Sequence, residues 1–459
     1  FARTHGPFKE DDHGQRYQLP TAPIRTMLGA LANSEALIHG EFSPSGTDQE
    51  WCSPEVLKRI KRRTLTKLRG EVAAVDDATL GRFLPQWHGL GDTAGGAARL
   101  RETLSHLEGL PLSYKELEQV ILPARVANFH PSMLDELGAT GYLVWVGHGT
   151  LGAKDGRIAL YRRDQVSSYL EPPVMPDDLS ELHQRLLSHL RERGAAFFVG
   201  LQQAAGDISQ DDLNAALWDL VWAGLITNDT FQPLRALGAT KRRSSSRRGT
   251  RSRTGRGPQA AAGRWYAVDE LLHADTTATE RAYATSTKLL QRHGIVTTET
   301  LKLEAIPGGF SALYPVFRAL EESGQARRGY FVDGLGGAQF ALPGAVDRLR
   351  RARSSPASAP VLLAATDPAN PYGWMLPWPP STSAPRRVAG ATVILANGAP
   401  LLFIDSGGRR MLTFPRFETM AGLEGTVSVL RQVAARQRGK YLRLETIDDQ
   451  PARTSKHAQ

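Results

Sequence analysis

The stretch SMLDELGATGYLVWVGHG, from Ser132 to Gly149, followed by GRIALYRR, from Gly156 to Arg163, decides the reading of this chain. A short helix stops at small or polar residues. An apolar strand follows, and a turn-rich excursion returns as a second strand. The same design recurs on both sides. IRTMLGALANSEALIHGEF with QEWCS runs from Ile24 to Ser53, and DLNAALWDLVWAGLITND with GRWYAV from Asp212 to Val268. LYPVFRALEESGQARRGYF with GAQFAL runs from Leu313 to Leu342. Helix, stop, strand, wing and strand in that order are the sequence form of a winged helix-turn-helix, and four copies make a tandem array. Winged helices mostly bind DNA, so the repeat bears on function.

At 459 residues the chain is too long for one core, and about three to five modules are expected. Its 41% apolar and 22% charged residues are ordinary for a soluble globular protein. No apolar run approaches bilayer length, and no signal peptide is visible, so a membrane role is not expected. The chain opens on Phe1 without a methionine, which suggests a fragment of something longer. Cys52 is the only cysteine; it excludes an internal disulfide and a cysteine-rich zinc site and fits a reducing cytoplasm.

The formal net charge is +9, yet the run from Lys241 to Arg256 alone holds eight basic residues and no acid, so 9 − 8 leaves +1 for the rest. DNA would therefore be met by local patches and by Lys241, Arg242, Arg243, Arg247, Arg248, Arg251, Arg253 and Arg256. This Ser- and Gly-rich run replaces the wing of the third module and is expected to be disordered when free, from 241 to 257.

The expected fold class is α+β, with tandem winged helices followed by a β-barrel module. The boundaries are a winged helix at 1–53, a helical connector at 54–94, and winged helices at 95–170, 177–270 and 278–350. A β-barrel-like module follows at 358–447, then a tail at 448–459. In the connector, Lys58, Arg59, Lys61, Arg62 and Arg63 read either as a solvated helix face or as phosphate contacts. In the last module, Asn397-Gly398 signals a type I′ hairpin, TVSVLRQVAARQR a helix and KYLRLETI a strand. The Gly-rich GHGTLGAKDG fails as a phosphate loop. Asp155 stands where Ser or Thr should meet magnesium, and the segment lies between two strands.

GEFSPSGTDQEWCSPEVLKRIKRRTL, VILPARV, LDELGATGYLVWVGHGTLGAKDGRIALY and AATDPANPYGWMLPWP resemble the C-terminal region of Lhr, the bacterial large helicase-related proteins. The resemblance covers essentially the whole chain. It implies tandem winged helices and a barrel in an arrangement similar to AlkZ-type DNA glycosylases. It further implies a cytoplasmic, nucleoid-associated protein, with a DNA helicase motor in the same polypeptide. ATP and magnesium would belong to that motor. No Walker A or DExH motif occurs here, so the chain itself should neither hydrolyse ATP nor hold a cofactor or metal. Single-stranded or duplex DNA and a homo-oligomer are the expected partners. The Gln-x-Gln motif of AlkZ-type glycosylases is absent, so their catalytic residues cannot be placed.

Three classes follow: the DNA-binding and assembly region of a repair helicase, a glycosylase acting on uracil or a damaged base, and a protein-binding winged-helix scaffold. A glycosylase needs a carboxylate near the glycosidic carbon and an aromatic beside the flipped base. Asp367 and Tyr372, in TDPANPYGW, are the catalytic candidates, and the loop resembles the Asp-Pro-Tyr loop of uracil glycosylases. The competing reading is an Asp-Pro turn entering the barrel, with Tyr372 and Trp374 as packing residues.

Overall fold

The computed structural model describes residues 1–42, 49–70, 74–238, 262–272, 276–355, 359–418, 423–436 and 441–455. The chain divides into two compact units, Phe1–Ala74 and Val75–Gln459.

In the first unit, helices Glu10–Tyr17 and Thr21–Asn33 precede the antiparallel strands Ile38–Gly40 and Glu50–Cys52. Phe8 bridges to Trp51 and supplies the third, one-residue edge of the sheet. Ile24 and Leu28, four residues apart on one helix face, join Phe8, Leu37 and Trp51 in the core. Helix Pro54–Gly70 follows, with Lys58, Arg59, Lys61, Arg62 and Arg63 exposed.

The second unit repeats one topology three times. In its first copy, helix Gly96–Leu107, strand Leu112–Ser113 and a helical stretch over residues 114–121 lead to helix Ser132–Ala139 and strands Leu143–Thr150 and Gly156–Arg162. The next copy runs through helices Glu181–Arg193, Phe198–Ala205 and Gln210–Trp222, with strands Ala196–Phe197, Ile226–Asn228 and Arg264–Ala267. The last runs through helices Ala278–His293, Thr298–Leu303 and Gly309–Glu322, with strands Ile295–Val296, Arg327–Gly329 and Gln339–Ala341. In every copy the last strand lies in the middle and pairs antiparallel with the other two. This is winged-helix topology, and the copies are called the second, third and fourth modules below.

Local chemistry explains the repeat. Ser209 and Thr277 cap their helices by accepting from the Asp212 and Glu280 amides. Each third helix ends two residues before a left-handed position, held by Gly141, Gly224 and Gly324 in the second unit. A residue there turns the chain out of the helix and into the strand, and glycine adopts the conformation without strain.

After helix Pro343–Arg353, strands Val361–Ala364, Thr392–Ala396, Ala399–Ile404, Arg410–Thr413, Thr446–Ile447 and Gln450–Pro451 pair in that order. Asn397 and Gly398, both at positive φ, make the expected hairpin turn. The barrel, however, does not close. Among the described residues, Val361–Ala364 pairs only with Thr392–Ala396, and Gln450–Pro451 only with Thr446–Ile447. Closure requires the first and last strands to meet. Here the last two are two-residue pieces, and the first packs beside residues 117–121 of the second module, so that edge is covered by protein. The strand expected over KYLRLETI shrinks to Thr446–Ile447, which joins Arg410–Thr413 in parallel after helix Leu423–Arg436.

The second and fourth modules meet through buried charge. Glu108 is 2% exposed and accepts from Lys288 Nζ at 2.6 Å and from the Arg162 amide at 2.8 Å. Arg292, equally buried, donates to the carbonyls of His106 and Glu108 and pairs with Glu304. His88 stands edge-on to His106, with ring centroids 5.7 Å apart. Burial holds the His88 imidazole well below its usual range and His106 down at about 4, with the nearby Arg125 and Arg292 acting in the same direction. Both rings are therefore neutral when folded, while the unfolded chain protonates near pH 6.5. Their stabilising contribution is complete above about pH 6.5 and is lost as pH falls toward the folded values. Each histidine should cost about 1.4 kcal/mol per pH unit in that window. Denaturant midpoints at pH 7.5 and 5.5 check this: a lower midpoint at 5.5 is expected, and equal midpoints would contradict it.

Candidate nucleic-acid interface

A winged helix commonly reads DNA with its third helix and steadies the backbone with its wing. The modules of the second unit do not all have that helix to offer. The second module's third helix, Ser132–Ala139, lies against the third module. A Cβ built on Gly138 would sit 2.8 Å from the Asp229 carbonyl oxygen. Asp135 of the same helix accepts from Arg235 Nη1 at 2.7 Å. The third module's helix, Gln210–Trp222, packs in turn on the second module's wing strands. A Cβ on Gly147 would meet the Val221 carbonyl at 2.1 Å, and one on Gly156 the Trp222 ring at 2.3 Å. Leu134, Leu137, Trp145, Leu213, Leu217 and Val221 thus share one core. What Gln210–Trp222 leaves exposed includes Asp211, Asp212 and Asp219, which would repel phosphate.

The fourth module is different. Leu313, Phe317 and Leu320 bury one face of Gly309–Glu322, while Ser311, Ala312, Pro315 and Arg318 stay exposed. Arg318 pairs with Glu322 at 3.2 Å on the surface, a contact worth little in water. Arg327 is exposed at the start of the wing, and the Arg328 guanidinium lies 5.7 Å from the Tyr314 ring centroid. Tyr330 follows, 46% exposed, with its hydroxyl donating to Asp333 at 3.0 Å. Small residues, arginines and tyrosines on one helix–wing surface suit close approach to a phosphate backbone and stacking on bases.

The eight basic residues from Lys241 to Arg256 lie outside the described residues. Asp367 and Tyr372 are inside the fold. Asp367 is 1% exposed and takes a two-pronged pair from Arg125, at 2.9 and 2.6 Å, plus the Ala369 amide at 2.8 Å. Tyr372 is 3% exposed, and its hydroxyl donates to the Gly398 carbonyl at 2.8 Å. Nearby, Glu116 accepts from Thr366 at 2.7 Å and from the Gly390 amide at 2.7 Å; burial pushes its carboxyl up. The TDPANPYGW loop therefore docks the C-terminal sheet on the second module. Sequence reading singled out neither Arg125 nor the Arg-Arg-Gly-Tyr run at 327–330. The usable signal for the run was its place, directly after the last helix stop.

These features define a tandem winged-helix protein with an open-edged β module. Two family descriptions, each "Large helicase-related protein, winged-helix domain", match residues 75–163 and 275–361. The chain thus carries winged-helix domains of the Lhr family, and the first match takes helix Asp77–Trp87 into the second module. A Mycolicibacterium smegmatis protein named "Lhr helicase/ probable uracil glycosylase" is 37% identical over 437 residues, covering 90% of this chain and 29% of that protein. The Escherichia coli "Lhr helicase/uracil glycosylase" is 35% identical over 446 residues, covering 88% of this chain and 29% of that protein. The chain thus spans under a third of the length of these relatives. Among solved structures, the Streptomyces sahachiroi DNA glycosylase AlkZ aligns over 82% of this chain and 100% of its own, at 14% identity and a TM-score of 0.47. Among the described residues, no helix is long and apolar enough to cross a membrane.

Proposed function

We propose that this chain is the DNA-binding and assembly region of an Lhr-type repair helicase, acting beside a motor in the same polypeptide that supplies ATP and magnesium chemistry. One observation supports this reading most strongly. The second and third modules spend their third helices on each other, and the fourth keeps its helix and its Arg327–Tyr330 wing open. DNA would lie along that surface, with Arg318, Arg327 and Arg328 on phosphates and Tyr330 beside a base. Arg327→Glu with Arg328→Glu removes two phosphate contacts and adds two repulsive charges. The log-affinity against log-salt slope should fall by roughly 2. Fluorescence anisotropy over a salt series measures it, and an unchanged slope would remove this face from the proposal.

The basic run from Lys241 to Arg256, which lies outside the described residues, joins the same reading as a second contact. If about three to five of its charges neutralise phosphates, deleting 241–256 should lower the slope by roughly 2 to 4 with little change in sequence preference. Identical slopes for intact and deleted chains would leave the folded modules as the whole DNA site.

The names of the two relatives favour a second reading, removal of uracil from DNA. In it, Asp367 and Tyr372 hold the C-terminal sheet in place and do not touch the base. Strand breakage after alkali on uracil-containing oligonucleotides tests the activity. Full excision by a folded Asp367→Asn chain would fit the positioning role, and loss of excision without loss of fold would restore Asp367 as the catalytic group. A homo-oligomer belongs to the same proposal and is tested by light scattering.

A further inference from the structure

Helix Pro343–Arg353 carries Arg348, Arg350, Arg351 and Arg353, all exposed, in its second half. Ala345, Val346, Leu349 and Ala352 bury its other side. At about 100° per residue, Arg348 and Arg351 fall on one flank of the exposed arc, and Arg350 and Arg353 on the other. Asp347 is the one acid of the helix. Among the described residues, no carboxylate forms an ion pair with any of the four arginines. Arg351 Nε reaches only the Asp347 carbonyl, at 3.4 Å, and the Arg348 guanidinium lies 5.2 Å from the Trp87 ring centroid. A helix C-terminus favours cations in its last turn. Like charges one turn apart repel, however, and four of them with one acid leave the surface short of anions. Arginine's planar fork matches phosphate geometry.

The helix is a stiff continuation of the fourth module. It starts two residues after Ala341, which stands opposite Arg327 in the wing ladder. The Leu342 amide donates to the Gly294 carbonyl at 3.0 Å. A Cβ on Gly294 would lie 2.9 Å from the Phe83 ring, 3.0 Å from Trp87 and 3.1 Å from the Ala345 Cβ, so the helix base is wedged against helix Asp77–Trp87. Its 11 residues run for about 16 Å, and the arginines sit at the far end from Arg327. We infer that helix Pro343–Arg353 is a second seat for the DNA backbone, separate from the helix and wing of the fourth module, with Arg350 and Arg351 on phosphates. The inference rests on the DNA-binding reading above and extends its site along the duplex. Guanidiniums on phosphate oxygens fix position and read no bases, so the seat adds affinity without sequence preference.

The test is a salt series of duplex binding by the full chain. Arg350→Gln with Arg351→Gln should lower the log-affinity against log-salt slope by roughly 2, and each change alone by roughly 1. Both positions are exposed, and the single variants serve if the pair disturbs the fold. Lysine at the same two positions keeps the charge and should keep the slope, which a purely structural role for the arginines would not require. Joined to Arg327→Glu and Arg328→Glu, the two losses should add, because the seats are separate. A slope unchanged by the glutamine variants would overturn the inference, and so would a slope that falls equally with lysine. If the Arg327→Glu, Arg328→Glu chain still loses slope in either case, the DNA-binding reading stands without the second seat. An intact chain that binds no duplex would overturn both.

Discussion

Glu108→Ala is expected to destabilise the Val75–Gln459 unit by about 3–5 kcal/mol, the cost of leaving a buried cation without its partner. Glu108 faces Lys288, 3% exposed, and the guanidinium of Arg162, so its loss leaves the Lys288 ammonium with the Ser105 carbonyl at 3.3 Å in place of a counter-charge. Removing the whole pair behaves differently. Glu108→Leu with Lys288→Met trades the ions for apolar groups and should recover most of the loss, since buried pairs are often no better than well-packed hydrophobes. Thermal unfolding of the single and double variants checks both statements. A single variant within about 1 kcal/mol of wild type would mean that the junction between the second and fourth modules does not depend on this pair.

The second large effect is at Asp367. Asp367→Asn keeps the shape but leaves Arg125, 1% exposed, paired with a neutral amide at the centre of the docking loop. A loss of about 3–5 kcal/mol is expected. Asp367→Leu with Arg125→Met should be milder than either single change. Such coupling between two residues in contact is what a double-mutant cycle detects. Near-additive losses would sever the pair from the stability of the C-terminal module.

Much of this fold was legible because its signals are local. The left-handed stops at Gly141, Gly224 and Gly324, the helix caps and the Asn397-Gly398 turn each act within a few residues. What escaped was long-range. Arg125 and Asp367 are 242 residues apart, and nothing near either announces the other. The mutual burial of the second and third modules hides in Gly138, Gly147 and Gly156, whose missing side chains admit another module's backbone or ring. Read alone, they pass for turn residues. The barrel was inferred from alternating strands and hairpins, but closure depends on register between the chain's distant edges, which alternation does not encode.

The central claim is that DNA lies on the fourth module and not on the second or third. Photo-crosslinking DNA substituted with 5-iododeoxyuridine to the intact chain, then mapping the modified peptides, tests it most directly. Among the three winged helices of this unit, the expected crosslinks fall on the fourth, at Tyr330 and its neighbours on residues 311–318 and 327–331. Crosslinks confined to residues 132–139 or 210–222, with none in the fourth module, would contradict it.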